Sequence, residues 1–208
     1  MRNKIVLMSL AMMSLVLGAL GQGAISLDNT TAAFGLRRQG WPQFYTGAAG
    51  IQVWYLNGTT YDLSAINSKT DSPFEAYQQL TTDGFTLVAT FGNTAVNAGG
   101  FSLGDLQIPG VTPGGSTMTM AIAAWEGTGS IFNGSRNGVL AFYQPTEDYI
   151  ANPTLAPPDL TAAQSAGGAP GGFSTTDLVL AQIPEPFSFA LAGLGAAAFL
   201  IWRRRSKL

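Results

Sequence analysis

Apolar and polar positions alternate along the middle of the chain in short runs, separated by breaks rich in glycine, proline and asparagine. The clearest run is "STMTMAIAAWE" (116–126). There Met118, Met120, Ile122 and Ala124 share one face, and Thr117, Thr119, Ala121, Ala123 and Trp125 the other. A period of two is the signature of a β-strand. Residues 51–56 and 59–63 flank Asn57-Gly58, a pair suited to a type I′ turn because both central residues need positive φ, and so predict a hairpin. Further strands are predicted at 85–91 after Asp83-Gly84, at 101–108 before Pro109-Gly110, at 138–143 before Gln144-Pro145, and at 176–183.

One short helix is predicted, with Ser72 as N-cap, Pro73 in the first turn and Glu75 three residues after the cap, running to Leu80. Residues 152–172 carry too few large apolar side chains to pack and predict a long Pro/Gly/Ala-rich loop. The expected fold is therefore mainly β: an antiparallel β-sandwich, jelly-roll or Ig-like, over residues 24–151. Residues 173–183 are expected to supply its last strand.

The two ends follow a different pattern. Arg2 and Lys4 precede an apolar run (5–17) and then small residues, the layout of a secretory signal peptide over residues 1–23. Cleavage after Gly21 or Gly23 suits the small-residue rule and predicts Gln22 or Ala24 as the mature N-terminus. At the other end, residues 187–202 are apolar except for Ser188. As a helix they would be about 24 Å long, a short membrane span that Trp202 and the snorkelling Arg203, Arg204 and Arg205 extend. The arginines form a membrane stop and orient this end to the cytoplasm, with the domain outside.

Composition narrows the chemistry. The chain has no Cys and no His, which removes disulfides, thiol nucleophiles, Cys/His zinc sites and His-dependent triads. Residues 24–182 hold four basic residues (Arg37, Arg38, Lys69, Arg136) against eleven acidic ones, a net charge of −7. That balance argues against a nucleic-acid partner. No metal loop and no cofactor motif is present in the sequence, and no cofactor is expected.

Pro184-Glu185-Pro186, the apolar span and the basic cluster of 203–208 together resemble the PEP-CTERM sorting signal. The resemblance covers residues 183–208. It implies export in a Gram-negative bacterium and recognition by an exosortase, an integral membrane processing enzyme. It also implies anchoring in the inner membrane followed by delivery to the cell surface or medium, often alongside extracellular polysaccharide. Two prolines around Glu185 forbid regular helix and favour an extended segment outside the bilayer. Residues 99–127 are also similar to small PEP-CTERM β proteins, through the turn Ile108-Pro109-Gly110-Val111-Thr112-Pro113-Gly114 and Ala124-Trp125. That similarity implies no activity.

Candidate chemistry in the middle is sparse. Glu126 could pair with Glu147 or Asp148 as the two carboxylates of a glycosidase, but solvated loop acids are the commoner explanation. The aromatic group around Trp41, Trp54 and Tyr55 is the candidate glycan contact, set against the simpler reading that these rings fill the core. The expected function is that of a non-enzymatic exported surface or matrix protein. A carbohydrate-binding module or small carbohydrate-active enzyme is the alternative.

Overall fold

The computed structural model describes residues 22–109, 116–132, 134–148 and 155–182. The expected signal helix (save its last two residues), the Gly-Val-Thr-Pro-Gly part (110–114) of the 108–114 turn and the sorting tail from residue 183 on lie outside them.

Among the described residues, eight strands and two α-helices follow in the order β1 (Gln22–Asp28), β2 (Leu36–Arg38), β3 (Gly47–Leu56), α1 (Ser64–Asn67), α2 (Pro73–Thr82), β4 (Thr86–Val96), β5 (Ser102–Pro109), β6 (Thr117–Glu126), β7 (Arg136–Pro145) and β8 (Leu178–Gln182). Six of them make one sheet in the order β2-β8-β7-β6-β3-β4, and β1 pairs with β5 in a separate two-stranded sheet. The chain is mainly β and sandwich-like, as its alternating runs predict. Its ladders are antiparallel except for one, since β2 runs parallel to β8.

The alternation of β6 explains the layering. Met118, Met120, Ile122 and Ala124 join Ile51, Val53, Leu140 and Phe142 beneath β1 and β5, which contribute Ile25, Leu27 and Ile108. Ala121, Ala123 and Trp125 face the other way, with Trp54, Val139 and Ala141, toward Ile66, Ala76 and Leu80 of the two helices. Alanines on that face let the helices lie close to the sheet. The large side chains of the first face contribute about 1.5–3 kcal/mol each by burial. The sheet is thus shared by two cores, and the second is covered by helices rather than by strands.

Four sequence expectations change. The chain bends at Asn57-Gly58, with Gly58 at φ +82°, but Asn57 does not take the positive φ of a type I′ turn and no hairpin forms. Both sides of β3 are already taken by β4 and β6. Residues 59–63 instead lead into α1: Asp62 accepts from the backbone N–H (3.0 Å) and hydroxyl (2.7 Å) of Ser64. Tyr61 packs edge-on against Phe85 and donates to Asp83. Second, α2 starts at Pro73 as expected, yet the Ser72 side chain makes no cap hydrogen bond, and the helix continues to Thr82.

Third, residues 155–172 pack. Leu160 and Ala163 are buried, three short 3-10 turns form at Leu160–Ala162, Ala166–Gly168 and Gly172–Ser174, and Gln164 exchanges both backbone hydrogen bonds with Tyr143 of β7. Fourth, β1 begins at Gln22, two residues before the expected domain start, and neither β1, β2 nor α1 was signalled by the pattern.

One side chain does the work of a strand. β8 pairs with β7 only at Arg136 and Asn137. Farther along, Asn67 of α1 donates its amide to Ala141 O and accepts from Ala141 N–H, both at 2.8 Å.

Candidate functional site

β8 carries the chain to the expected sorting segment. Its last residue, Gln182, is held in register with Arg136 of β7, and a single residue separates it from Pro184. In sequence, one residue lies between the sheet and Pro184-Glu185-Pro186. Pro184, Glu185, Pro186, the apolar span and Arg203, Arg204 and Arg205 themselves lie outside the described residues.

The glycan candidates separate. Trp54 and Tyr55 project to opposite faces of β3, as adjacent strand residues must. Trp54 is 6% exposed and packs edge-on against Tyr77 of α2, with ring centroids 5.6 Å apart. It is a core residue, out of reach of a ligand. Tyr55 is half-buried on the other face, and its hydroxyl donates to Pro109 O (2.7 Å), tying β3 to the end of β5. Trp41 alone is open, at 51% exposure.

The surroundings of Trp41 were not predicted. β2 points Arg37 and Arg38 to opposite sides. Arg37 pairs with Asp177 (2.9 Å) and lies over the Phe44 ring (4.7 Å). Arg38 donates Nε–H to Glu126 Oε1 (2.5 Å) while its guanidinium lies against the rings of Trp41 (5.6 Å) and Tyr45 (5.2 Å). Glu126 also accepts from Ser135 (2.9 Å) and faces Arg136 (3.8 Å). The hydrogen bond to Glu126 raises the basicity of Arg38, and burial raises the pKa of the Tyr45 phenol, whose hydroxyl donates to Ala48 O. The outcome is an indole steadied by a neutralised arginine at the mouth of a groove that includes Gln43 and Thr46. Such a surface offers a flat apolar ring beside neutral hydrogen-bonding groups. Arg38 and Glu126 are 88 residues apart in sequence, so no local signal could have joined them.

A second aromatic surface appears over α2. Tyr77 touches Phe132, and Phe132 touches Phe74, in edge-to-face contacts. Phe74 and Phe132 are 46% and 58% exposed.

The carboxylate pair is not assembled. Glu126 ends β6, whereas Glu147 follows β7 at the opposite end of the same ladder, beyond the pairing of Thr117 with Pro145. A strand of that length puts the two about 30 Å apart, against roughly 5–10 Å in glycosidases. Glu126 is instead the anion of the arginine cluster. Among the described residues there is no group of three or more carboxylates arranged to hold a metal ion, and no helix long and apolar enough to cross a membrane.

Comparison with known protein families decides the character of the tail. The family model of the PEP-CTERM protein-sorting motif matches residues 182–205. The chain carries a PEP-CTERM sorting signal. The match begins at Gln182, the residue where β8 ends, so in this PEP-CTERM protein the sorting signal and the fold share that one residue. A PEP-CTERM signal marks an exported protein for recognition by an exosortase. No curated protein and no solved structure matches the chain.

Proposed function

We propose that this PEP-CTERM protein is exported by its N-terminal leader and held in the inner membrane by residues 187–202 with its domain outside. It is then released to the cell surface or extracellular matrix when an exosortase acts at Pro184-Glu185-Pro186. The β domain serves there as a non-enzymatic surface component. The observation that carries this reading is the family match at residues 182–205, abutting β8. The test is fractionation and intact mass of the product in a host carrying the sorting enzyme. Replacing Pro184, Glu185 and Pro186 by Ala should leave the protein membrane-bound and unprocessed, because helix can then run through the recognition segment. Processing identical to the parent's would reduce the tail to an anchor.

One observation favours a carbohydrate contact as a second reading. Trp41 is half-exposed, stacked on Arg38 and bordered by neutral polar groups, an arrangement that accepts the apolar face of a sugar ring. On a glycan array, binding lost in Trp41→Ala and kept in Tyr55→Phe would support it. Binding unaffected by Trp41→Ala would remove it.

A further inference from the structure

We infer that, while the protein is held in the membrane, the end of the domain from which the sorting tail departs lies on the bilayer, with Trp41, Phe74 and Phe132 set into the lipid headgroup layer. The inference rests on the anchored state proposed above and adds to it which face of the domain meets the lipid.

Strand register brings these rings to one end of the sheet. β8 ends at Gln182 opposite Arg136, where β7 begins, and β6 ends beside them, with Trp125 opposite Asn137. Phe132 belongs to the connection between β6 and β7 at this end. β2 runs parallel to β8, with Arg38 opposite Leu180, so the chain leaves β2 in the same direction. Trp41 follows at once, its N–H donating to Arg38 O (3.1 Å). α2 starts here as well: Gln39 donates to Asp71, and the Phe74 ring touches that of Phe132 at 6.1 Å. Three of the five large apolar side chains exposed among the described residues therefore gather where the tail leaves. Clustered apolar exposure of this kind marks an interaction surface.

Chain length names the occupant. Only residues 183–186 separate Gln182 from the apolar run that begins at Phe187. Fully extended, that connection reaches about 17 Å at most, and the headgroup layer takes up about 5–8 Å of it. With residues 187–202 in the hydrocarbon, the end of β8 stays within about 10 Å of the membrane surface. A soluble partner must diffuse to this face, whereas lipid is tethered beside it at high effective concentration. The side chains suit that neighbour, because aromatic rings, Trp above all, favour the headgroup level. Charge does not oppose it strongly. Glu126 is held by Arg38 and Arg136, which leaves Asp71 and Glu75 at the α2 border of the face. Once processing frees the domain the same face opens to water, so a carbohydrate contact at Trp41 belongs to the released form.

The chain lacks cysteine, so single nitroxide-labelled cysteines report depth cleanly. Full-length protein would be placed in phosphatidylcholine nanodiscs at one copy per disc, which removes a second copy and the sorting enzyme as occupants. The labels would be Gln43→Cys and Thr128→Cys at this end, Thr60→Cys beyond the other end of β3, and Ala196→Cys in the apolar run. Collision with lipid-soluble oxygen relative to a water-soluble nickel chelate is the readout. The expected ratio at positions 43 and 128 is severalfold above that at 60, and it is highest at 196. Trp41→Ser combined with Phe132→Ser should lower positions 43 and 128 to the level of 60 without moving 196, whereas Phe132→Trp should leave all four unchanged. Equal ratios at 43, 128 and 60 with 196 in lipid would overturn the inference and leave the anchor standing. Ratios at 43 and 128 that survive the double serine change would overturn it too. A label at 196 exposed to water would remove the anchor, and this inference with it.

Discussion

Gly50 and Trp125 face each other across the β3–β6 ladder, and the indole occupies the space that a side chain on Gly50 would need. A Cβ on Gly50 would stand 1.9 Å from Trp125 Cε2. The indole is buried and donates Nε1–H to Gly129 O (3.0 Å). Trp125→Ala should destabilise the fold by about 3–5 kcal/mol, and Gly50→Ala by about 1–3 kcal/mol through overpacking. In the double variant the new methyl group enters the vacated space, so the two losses should combine to well below their sum. Denaturant unfolding of the four proteins measures this, and simple additivity would contradict the contact.

Asn67 offers a second test, because its amide takes the place of a strand neighbour for Ala141. Asn67→Ala leaves a buried N–H and a buried C=O without partners and should cost about 2–3 kcal/mol. Asn67→Asp keeps an acceptor for the N–H but sets a carboxylate against the carbonyl, so it should not restore parental stability. Hydrogen exchange at Ala141 gives the local readout: faster exchange is expected in Asn67→Ala, and unchanged protection would show that the amide is dispensable.

The pH profile of stability follows from the absence of histidine. No side-chain step is expected between about pH 5 and 8. On the acid side, hydrogen bonds from Thr30 and from Ser64 lower the pKa values of Asp28 and Asp62. Their contribution is present above the ordinary carboxylate value, about 4, and is lost as pH falls through the lowered values. On the alkaline side, burial raises the phenols of Tyr45, Tyr61 and Tyr77. Their contribution is complete below the ordinary tyrosine value, about 10, and is lost as pH rises through the raised ones. Denaturation midpoints across a pH series should trace a plateau with losses at both ends, and a side-chain-dependent step near neutrality would refute it.

The two candidate cleavage sites now differ in consequence. Gln22 and Gly23 belong to β1, opposite Pro109 and Ile108, and a Cβ on Gly23 would meet Thr146 at 2.8 Å. Cleavage after Gly21 preserves the whole strand, while cleavage after Gly23 removes two of its pairings. N-terminal sequencing of exported material should therefore return Gln22. Ala24 would show that the start of β1 is dispensable.

The legible parts of this fold were those with local causes. β6 could be read because its two faces enter different cores, so its residues alternate between Met/Ile and Ala/Trp. α2 could be read from Pro73 and Glu75, and the sorting tail from the order of its parts. What stayed hidden was decided by distant pairing. Asn57-Gly58 marked a bend but not the type I′ hairpin, because which strands flank β3 is settled by the whole sheet. β2, at three residues, is a strand only because β8 lies beside it. The setting of Trp41 depends on Glu126, a residue from another strand.

The parallel pairing of β2 with β8 has a consequence for timing. Leu36 is matched with Leu178, and Gly35 N–H donates to Asp177 Oδ1 (3.0 Å), so a segment near the start of the domain waits for one near its end. A chain threaded across a membrane from its N-terminus delivers β2 early and β8, its partner strand among the described residues, late. The sheet cannot close while β8 is still inside the translocation channel. If the chain is exported as proposed, the sorting segment, which follows β8 after one residue, would reach the outer surface nearly as the sheet closes. Under that proposal the processing enzyme would meet a finished domain rather than a nascent chain.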